Sequence, residues 1–557
     1  VSPAEWDAFK NICQSKYDFS PDKDGPLSGA KKLVSGEGDW KLVWARFSEA
    51  PKNYPEIPDL LQRASPQQAS MERDQYWPQD NQAAEEELAL ALENLDFTDE
   101  LSARNRLVEL EEKHGERRGW VWAKLGESPL ATVIGYLADL AQRLDQKLYG
   151  DSMEDMIDSY REWGWEIDDL VLKIMDLASS SGDQEQAILK IIAGIYKPWI
   201  RESTQRFQYL VNKGPYDWEP INLQSEGTCF IFVDALRMDI GKRILNRFTK
   251  EGYYSEIETS LAALPTITGT AKYALFDFRD KLTGENTKKL TPREKTKKGM
   301  INAQAYRDLL TKEGVQVLIE HDLGDPSGIA FHEMGTIDGF GHQYGWKMAQ
   351  HIEGEIENIF NRVKELLDFG WKKAVLITDH GWLLLPSVMR KDPIPEHLTR
   401  MRKGRCAELK PGSQTDHMRV PWHWNENVSV AVAPDISCFE AGKEYEHGGV
   451  SLQECVTPII TISGAAGDDE IIIADVTWRG LRLSADIGPG LSELSVDLRI
   501  SPGDPESSVI EKPAQPDQTG KVSFLILNDD LIEQEAMLVV IDSEGNLLAQ
   551  KSTRIGG

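Results

Sequence analysis

In Thr228-Cys-Phe-Ile-Phe-Val-Asp234-Ala-Leu-Arg237-Met-Asp239 a short, uninterrupted apolar run, Cys229–Val233, ends in an acid, Asp234. A run of that length with no polar alternation fits a strand buried on both faces, as in a parallel sheet. A helical segment is predicted over 236–250 directly after it. The same pattern recurs in Ala374-Val-Leu-Ile-Thr378-Asp379-His380-Gly381, where a second apolar run ends in Asp-His-Gly. Further strands are predicted at 315–320, 328–333 and 428–433, with helices at 300–313 and 345–368 between some of them. Strand–helix alternation over 221–465 implies an α/β sheet. Ligands gather beyond the carboxyl ends of such strands, where Asp234 and Asp379 would lie. A structural reading stands beside each: Asp234 could simply cap the next helix.

Nine of the ten His fall between His321 and His447. Asp338-Gly-Phe-Gly-His342 sets two candidate ligands four residues apart, and its glycines predict a loop rather than a regular helix. Glu446-His447-Gly-Gly offers a third His before a flexible pair. In Leu264-Pro-Thr266-Ile-Thr268-Gly-Thr270 a threonine stands at a predicted helix start near 269, as a cap or as a hydroxyl to be activated. Three Asp, three His and one hydroxyl are about what two divalent metals ~3.5–4 Å apart require. One metal would take Asp338, His342 and His447. The other would take Asp234, Asp379, His380 and the threonine oxygen. Mixed N/O ligands without thiolate favour Zn or Mn over Ca.

These pieces, in this order, resemble the alkaline phosphatase superfamily. Within it the chain is similar to the PglZ domain of bacteriophage-exclusion (BREX) defence systems. Pro265-Thr-Ile-Thr268 resembles the Pro-Thr-x-Thr element of nucleotide pyrophosphatase/phosphodiesterases, and Asp338 to His342 with Gly345 resembles their Asp-x-x-Gly-His-x-x-Gly. Val233-Asp-Ala-Leu-Arg-Met-Asp239 and His447-Gly-Gly-Val-Ser-Leu look PglZ-like. The resemblance implies an alkaline-phosphatase-like sheet sandwiched by helices, Thr268 as nucleophile, and the two metal sites above, with zinc or manganese bound. Gly269 departs from the element, which leaves Thr270 as a substitute. Arg237 is a candidate for pairing with substrate phosphate and equally for an ion pair on the helix surface. No Cys-x-Pro-x-Arg occurs, which disfavours a sulfatase. The implied activity is a metal-dependent phosphodiesterase or nuclease acting with other BREX proteins. A phosphomonoesterase, and a scaffold with a structural metal site, are the alternatives.

Residues 1–220 read as mainly helical after a loop-rich opening, with segments at 83–113, 128–148, 152–179 and 183–210. Ten of the 16 Trp lie there, for packing between helices or, at Trp120 and Trp122, for a partner surface. Residues 466–557 alternate over 481–485, 494–500, 522–527 and 537–541, predicting a small β-sandwich. The three expected domains are thus 1–220, 221–465 and 466–557 of a 557-residue chain. No apolar run approaches the ~18 residues of a membrane span. Five unpaired-looking Cys fit a reducing cytoplasm rather than a disulfide framework. Val1 and the absent longer N-terminal part suggest a piece of a longer protein.

The formal charge of −29 repels nucleic acid at long range. Locally the balance reverses. Residues 279–298 hold eight bases against three acids, and 387–420 hold eight against four. Such runs are usually solvated faces, but beside a phosphate site they would form a phosphate-facing rim.

Overall fold

The computed structural model describes residues 2–64, 75–223, 226–464, 473, 476–487, 494–500, 504–510, 512–517, 520–526, 528, 531–532, 534–541 and 547–556. Leu527, within the strand predicted at 522–527, lies outside the described residues.

Six strands form the central sheet, in the order Tyr254–Leu261, Val456–Ser463, Lys373–Ile377, Thr228–Val233, Ile329–Met334, Val315–Leu318. The last four are mutually parallel, and Val456–Ser463 alone runs against the rest. Thr228–Val233 is buried along its whole length and has strand neighbours on both sides. The two strands not foreseen explain themselves. Tyr254–Leu261 is half-exposed and reads as polar alternation, and it lies at the sheet edge. Val456–Ser463 carries a proline. The run predicted at 428–433 is a strand, Asn425–Val432, but it belongs to a separate four-stranded antiparallel sheet with Thr399–Lys403, Cys406–Leu409 and Arg419–Trp422.

The antiparallel strand has a functional consequence. Its amino end lies beside the carboxyl ends of the parallel strands. The segment leading into it, which contains His447, therefore arrives at the same edge as Asp234 and Asp379.

The opening of the chain is helical rather than loop-rich, with helices Pro3–Tyr17, Pro21–Val34, Trp40–Glu49 and Glu56–Ala64. Local capping explains the first: Ser2 and Glu5 form a reciprocal capping box and Pro3 sits in the first turn. The later helices Pro129–Arg143, Trp165–Ser179 and Glu185–Lys213 share one continuous apolar core with the central sheet. Trp120 and Trp122 are buried, not presented to a partner; the Trp122 indole donates to the Gln75 carbonyl at 2.9 Å. Two three-stranded sheets near the C-terminus enclose their own core, including Leu483, Val496, Leu498, Val522 and Leu538. No helix among the described residues is long and apolar enough to cross a membrane.

Candidate metal centre and threonine site

The chain turns sharply after Thr228–Val233. Ala235 adopts φ +63°, a conformation that costs a non-glycine residue about 1–2 kcal/mol. Two contacts hold it there. The Leu236 amide donates to Thr378 Oγ1 at 2.9 Å, and the Trp382 indole donates to the Ala235 carbonyl at 3.0 Å. The residues flanking Asp379-His380 thereby fix the peptide that follows Asp234.

Ligand-capable atoms of Asp234, Asp379 and His380 lie within 4.8 Å of one another, as do those of Asp338, His342 and His447. In the first group His380 Nε2 is 3.9 Å from Asp234 Oδ1 and 3.6 Å from Asp379 Oδ2. In the second, Asp338 Oδ1 is 3.5 Å from Nε2 of both His342 and His447. The His380 and His447 rings stack face to face at 4.1 Å, so the groups adjoin. Asp338 and His342 stand on a regular helix, Ile337–Tyr344, and not on the loop expected from their glycines. One turn of helix places them on the same face. Gly341 serves packing instead: a Cβ there would meet the Tyr445 ring at 2.3 Å.

The fit to divalent cations rests on the donors themselves. His380 Nδ1 pairs with the Gly381 carbonyl at 3.0 Å and His447 Nδ1 with the Thr266 carbonyl at 3.0 Å. A carbonyl only accepts, so each Nδ1 carries the proton and each Nε2 presents a lone pair to its group. Asp234 Oδ1 and Asp379 Oδ2 are enclosed without a hydrogen-bond partner, and both point at His380 Nε2. Buried carboxylate oxygens without partners are costly unless a cation meets them.

The crowding registers in proton affinity. Burial and then the neighbouring Asp379 push the Asp234 carboxyl up from 3.8 to about 7. Burial likewise pushes Asp379 to about 7, against the opposing pull of Lys272. Burial, followed by His380, holds His447 well below its ordinary range and hence neutral. Raised carboxyl affinities mean that the folded state binds more protons than the unfolded one between about pH 4 and 7. The metal-free protein is therefore expected to lose the stability governed by these two acids as pH rises through that window. Added Zn²⁺ or Mn²⁺ should restore it, by an increment that grows with pH. Thermal unfolding with and without chelator from pH 4.5 to 7.5 checks this; a metal increment independent of pH contradicts it.

Thr268 Oγ1 lies 3.1 Å from His380 Nε2. The helix here is only Thr268–Ala271, continued by a 3-10 turn. The neighbouring threonines are committed elsewhere. Thr266 Oγ1 donates to the Gly449 carbonyl at 2.8 Å and accepts from the Gly448 amide at 3.2 Å. The buried Thr270 hydroxyl donates to the Leu290 carbonyl at 2.8 Å and accepts the Trp422 indole at 3.0 Å. Of the three hydroxyls, that of Thr268 is the one set against a histidine of the metal-capable groups.

Arg237 does not face a substrate. It is 2% exposed, its guanidinium forks onto Asp239 with two 2.7 Å bonds, and it stacks 3.6 Å over the Trp382 ring. With one edge on Asp239 and its face on Trp382, both in the interior, it supports the indole that holds Ala235.

Several supporting residues escaped sequence reading. Tyr445 donates to Asp338 Oδ1 at 2.9 Å. The signal was available, since Tyr445 and His447 are two apart in an extended segment and share a face. Lys272 stands one helical turn after Thr268 and pairs with Glu333 at 2.8 Å. The buried pair Arg405–Glu454 anchors the turn after His447: Glu454 Oε1 accepts from Arg405 at 2.9 Å and from the Gly449 amide at 2.8 Å. Nothing local in the sequence joins residues 49 positions apart.

Residues 219–462, under half of the chain, match the family described as the BREX system PglZ alkaline phosphatase-like domain. No curated protein matches the chain. Among solved structures, murine ectonucleotide pyrophosphatase/phosphodiesterase 5, inactive and in complex with AMP, aligns at 12% identity with a TM-score of 0.31, over 43% of this chain and 89% of its own. The human protein of the same name aligns at 10% identity and a TM-score of 0.30, over 43% and 88%.

Proposed function

From the premise that residues 219–462 are a PglZ-family, alkaline-phosphatase-like domain, we propose that the chain is a metal-dependent phosphodiesterase, of the kind that cleaves nucleic acid, working within a BREX-type complex. We assign the catalytic domain to 221–465, a helical region to 1–220 and a β-sandwich to 466–557. The observation that carries the reading is the Thr268 hydroxyl, 3.1 Å from His380 Nε2, beside two adjoining Asp/His groups, the nearer of which holds two carboxylate oxygens, Asp234 Oδ1 and Asp379 Oδ2, without hydrogen-bond partners.

Two divalent ions, zinc or manganese, held by Asp234, Asp379 and His380 and by Asp338, His342 and His447, would supply charge that stabilises oxyanions in the transfer. The chain's own residues do the rest. Thr268 Oγ1, its proton lost to solvent, attacks phosphorus; the Thr–O–P bond forms as the bond to the leaving alcohol breaks. Water then cleaves the phosphothreonine, releases a phosphomonoester and restores the hydroxyl. His380 and His447 keep their tautomers through the Gly381 and Thr266 carbonyls, so their Nε2 atoms stay directed into the site. Arg237 and Trp382 hold the Asp234 turn.

One preparation with quantified metal content tests this against bis-p-nitrophenyl phosphate and p-nitrophenyl phosphate. Turnover should favour the diester, vanish with chelator and return with Zn²⁺ or Mn²⁺. Preference for the monoester would make it a phosphomonoesterase. Full metal occupancy with neither substrate hydrolysed would favour a scaffold with a structural site.

A further inference from the structure

The first basic segment is an ordered loop built against the threonine. Arg293 donates to the carbonyls of Glu285, Lys295 and Lys297 at 2.7, 3.2 and 2.9 Å, which folds residues 285–297 on themselves. The loop's inner turn abuts the short Thr268 helix. A Cβ on Gly269 would lie 2.8 Å from Thr291 Oγ1, and the Leu290 carbonyl accepts the Thr270 hydroxyl. Lys289 and Leu290 both take positive φ, 59° and 51°. Leu290 is buried by that turn, while Lys288 and Lys289 remain exposed. Left-handed backbone at two consecutive non-glycine residues costs energy, and it is the buried Leu290 that anchors the loop next to Thr268.

The second basic segment reaches the site at His447. Lys403 ends the Thr399–Lys403 strand and is exposed. The next residue, Gly404, has φ +55° and lies beneath the second group: a Cβ there would meet the His447 carbonyl at 2.9 Å. The Arg405 amide donates to that same carbonyl at 3.3 Å. Among the described residues, neither Lys288, Lys289 nor Lys403 forms an ion pair. Most other bases of the two segments are neutralised, as in Arg279–Asp277, Lys297–Glu294, Arg400–Glu408 and Arg402–Glu396.

We propose that Lys288 and Lys289 on the Thr268 side, and Lys403 on the His447 side, form two lips that grip the backbone phosphates flanking the scissile one, so that the substrate is a nucleic-acid strand rather than an isolated small diester. The inference rests on the phosphodiesterase reading and deepens it. A chain of net charge −29 repels a polyanion at a distance. Capture therefore falls to cations beside the site that no carboxylate has claimed. Each phosphate neutralised releases counterions, and single-strand binding weakens with salt at a slope of about −0.7 per contact.

The test separates binding from chemistry. Binding of the metal-loaded chain to a fluorescent phosphorothioate thymidine oligonucleotide is read by anisotropy across a salt series. It is compared among the wild type, Lys288→Gln/Lys289→Gln and Lys403→Gln. Turnover of bis-p-nitrophenyl phosphate is measured on the same preparations. The double variant should bind roughly tenfold more weakly and with a salt slope shallower by about 1.4, and the single variant by about 0.7. Small-diester turnover should stay within twofold of wild type. Unchanged oligonucleotide affinity and slope would overturn the proposal whatever the enzyme does to the small diester. A small diester left uncut would overturn the phosphodiesterase reading instead. Equal losses on both substrates would mean that the lysines shape the site and do not grip flanking phosphates.

Discussion

Thr268→Ala is expected to lose diester hydrolysis by well over the ~10²–10⁴ that a positioned acid or base contributes, because on the proposed mechanism the substitution deletes the attacking atom itself. Metal content should fall little even if the threonine oxygen is a ligand, since the six proposed carboxylate and imidazole ligands remain. Thr268→Ser keeps an oxygen near the position 3.1 Å from His380 Nε2 and should retain part of the rate. Thr270→Ala should behave in the opposite way. Its buried hydroxyl satisfies both the Leu290 carbonyl and the Trp422 indole, so its loss should cost about 1–3 kcal/mol of stability and little turnover. Diester turnover at saturating metal, with thermal unfolding of each variant, distinguishes the two threonines. A dead Thr270→Ala beside an active Thr268→Ala would move the nucleophile by two residues. Full activity in both would end the covalent mechanism.

The residues of this site were legible because each follows a local signal. Asp234 and Asp379 end apolar runs, and the edge beyond such strands is where a parallel sheet collects its chemistry. The choice between Thr268 and Thr270 was not legible. It depends on Leu290 and Trp422, which are distant in sequence and already occupy the Thr270 hydroxyl. Arg237 stayed open between a phosphate ligand and a surface ion pair for a related reason. An arginine after a strand-end acid looks like a phosphate ligand, but the fold buries it between Asp239 and Trp382. Asp239, two residues away, is in reach of a local reading as its partner. Trp382, 145 positions on, is not.

The fold divided along the same line. Strands buried on both faces announce themselves as apolar runs, whereas Tyr254–Leu261 alternates Glu and Ser with apolar residues at the sheet edge. The glycines of Asp338-Gly-Phe-Gly-His342 argued for a loop from propensity alone. Contact with Tyr445 overrode that preference, since a helix approaching the ring so closely needs Gly341. The short-range helix signals of the first 64 residues, proline in the first turn and the Ser2–Glu5 box, were present but carried too few apolar positions to stand out.

Asp379→Asn is expected to abolish turnover and to lower metal content while leaving the fold intact, and the sign of its stability effect is diagnostic. The carboxyl is 1% exposed; one oxygen accepts the His380 amide at 3.1 Å and the other has no partner. Asparagine keeps the shape and one acceptor but removes the charge. In the metal-free protein that charge is a burden, because burial pushes both carboxyls to about 7, and the Asp379 charge adds to the rise at Asp234. The metal-free variant should therefore be at least as stable as metal-free wild type near pH 7.5. It should also lose less stability than wild type as pH rises from 4.5. With Zn²⁺ or Mn²⁺ added the order should reverse, because wild type gains the ligand-binding free energy and the variant gains little of it. Metal analysis, diester turnover and thermal unfolding on both proteins check the three parts. A variant that is less stable than wild type without metal at high pH would show that Asp379 is a structural acceptor first. A variant that keeps full metal and full turnover would remove Asp379 from the site.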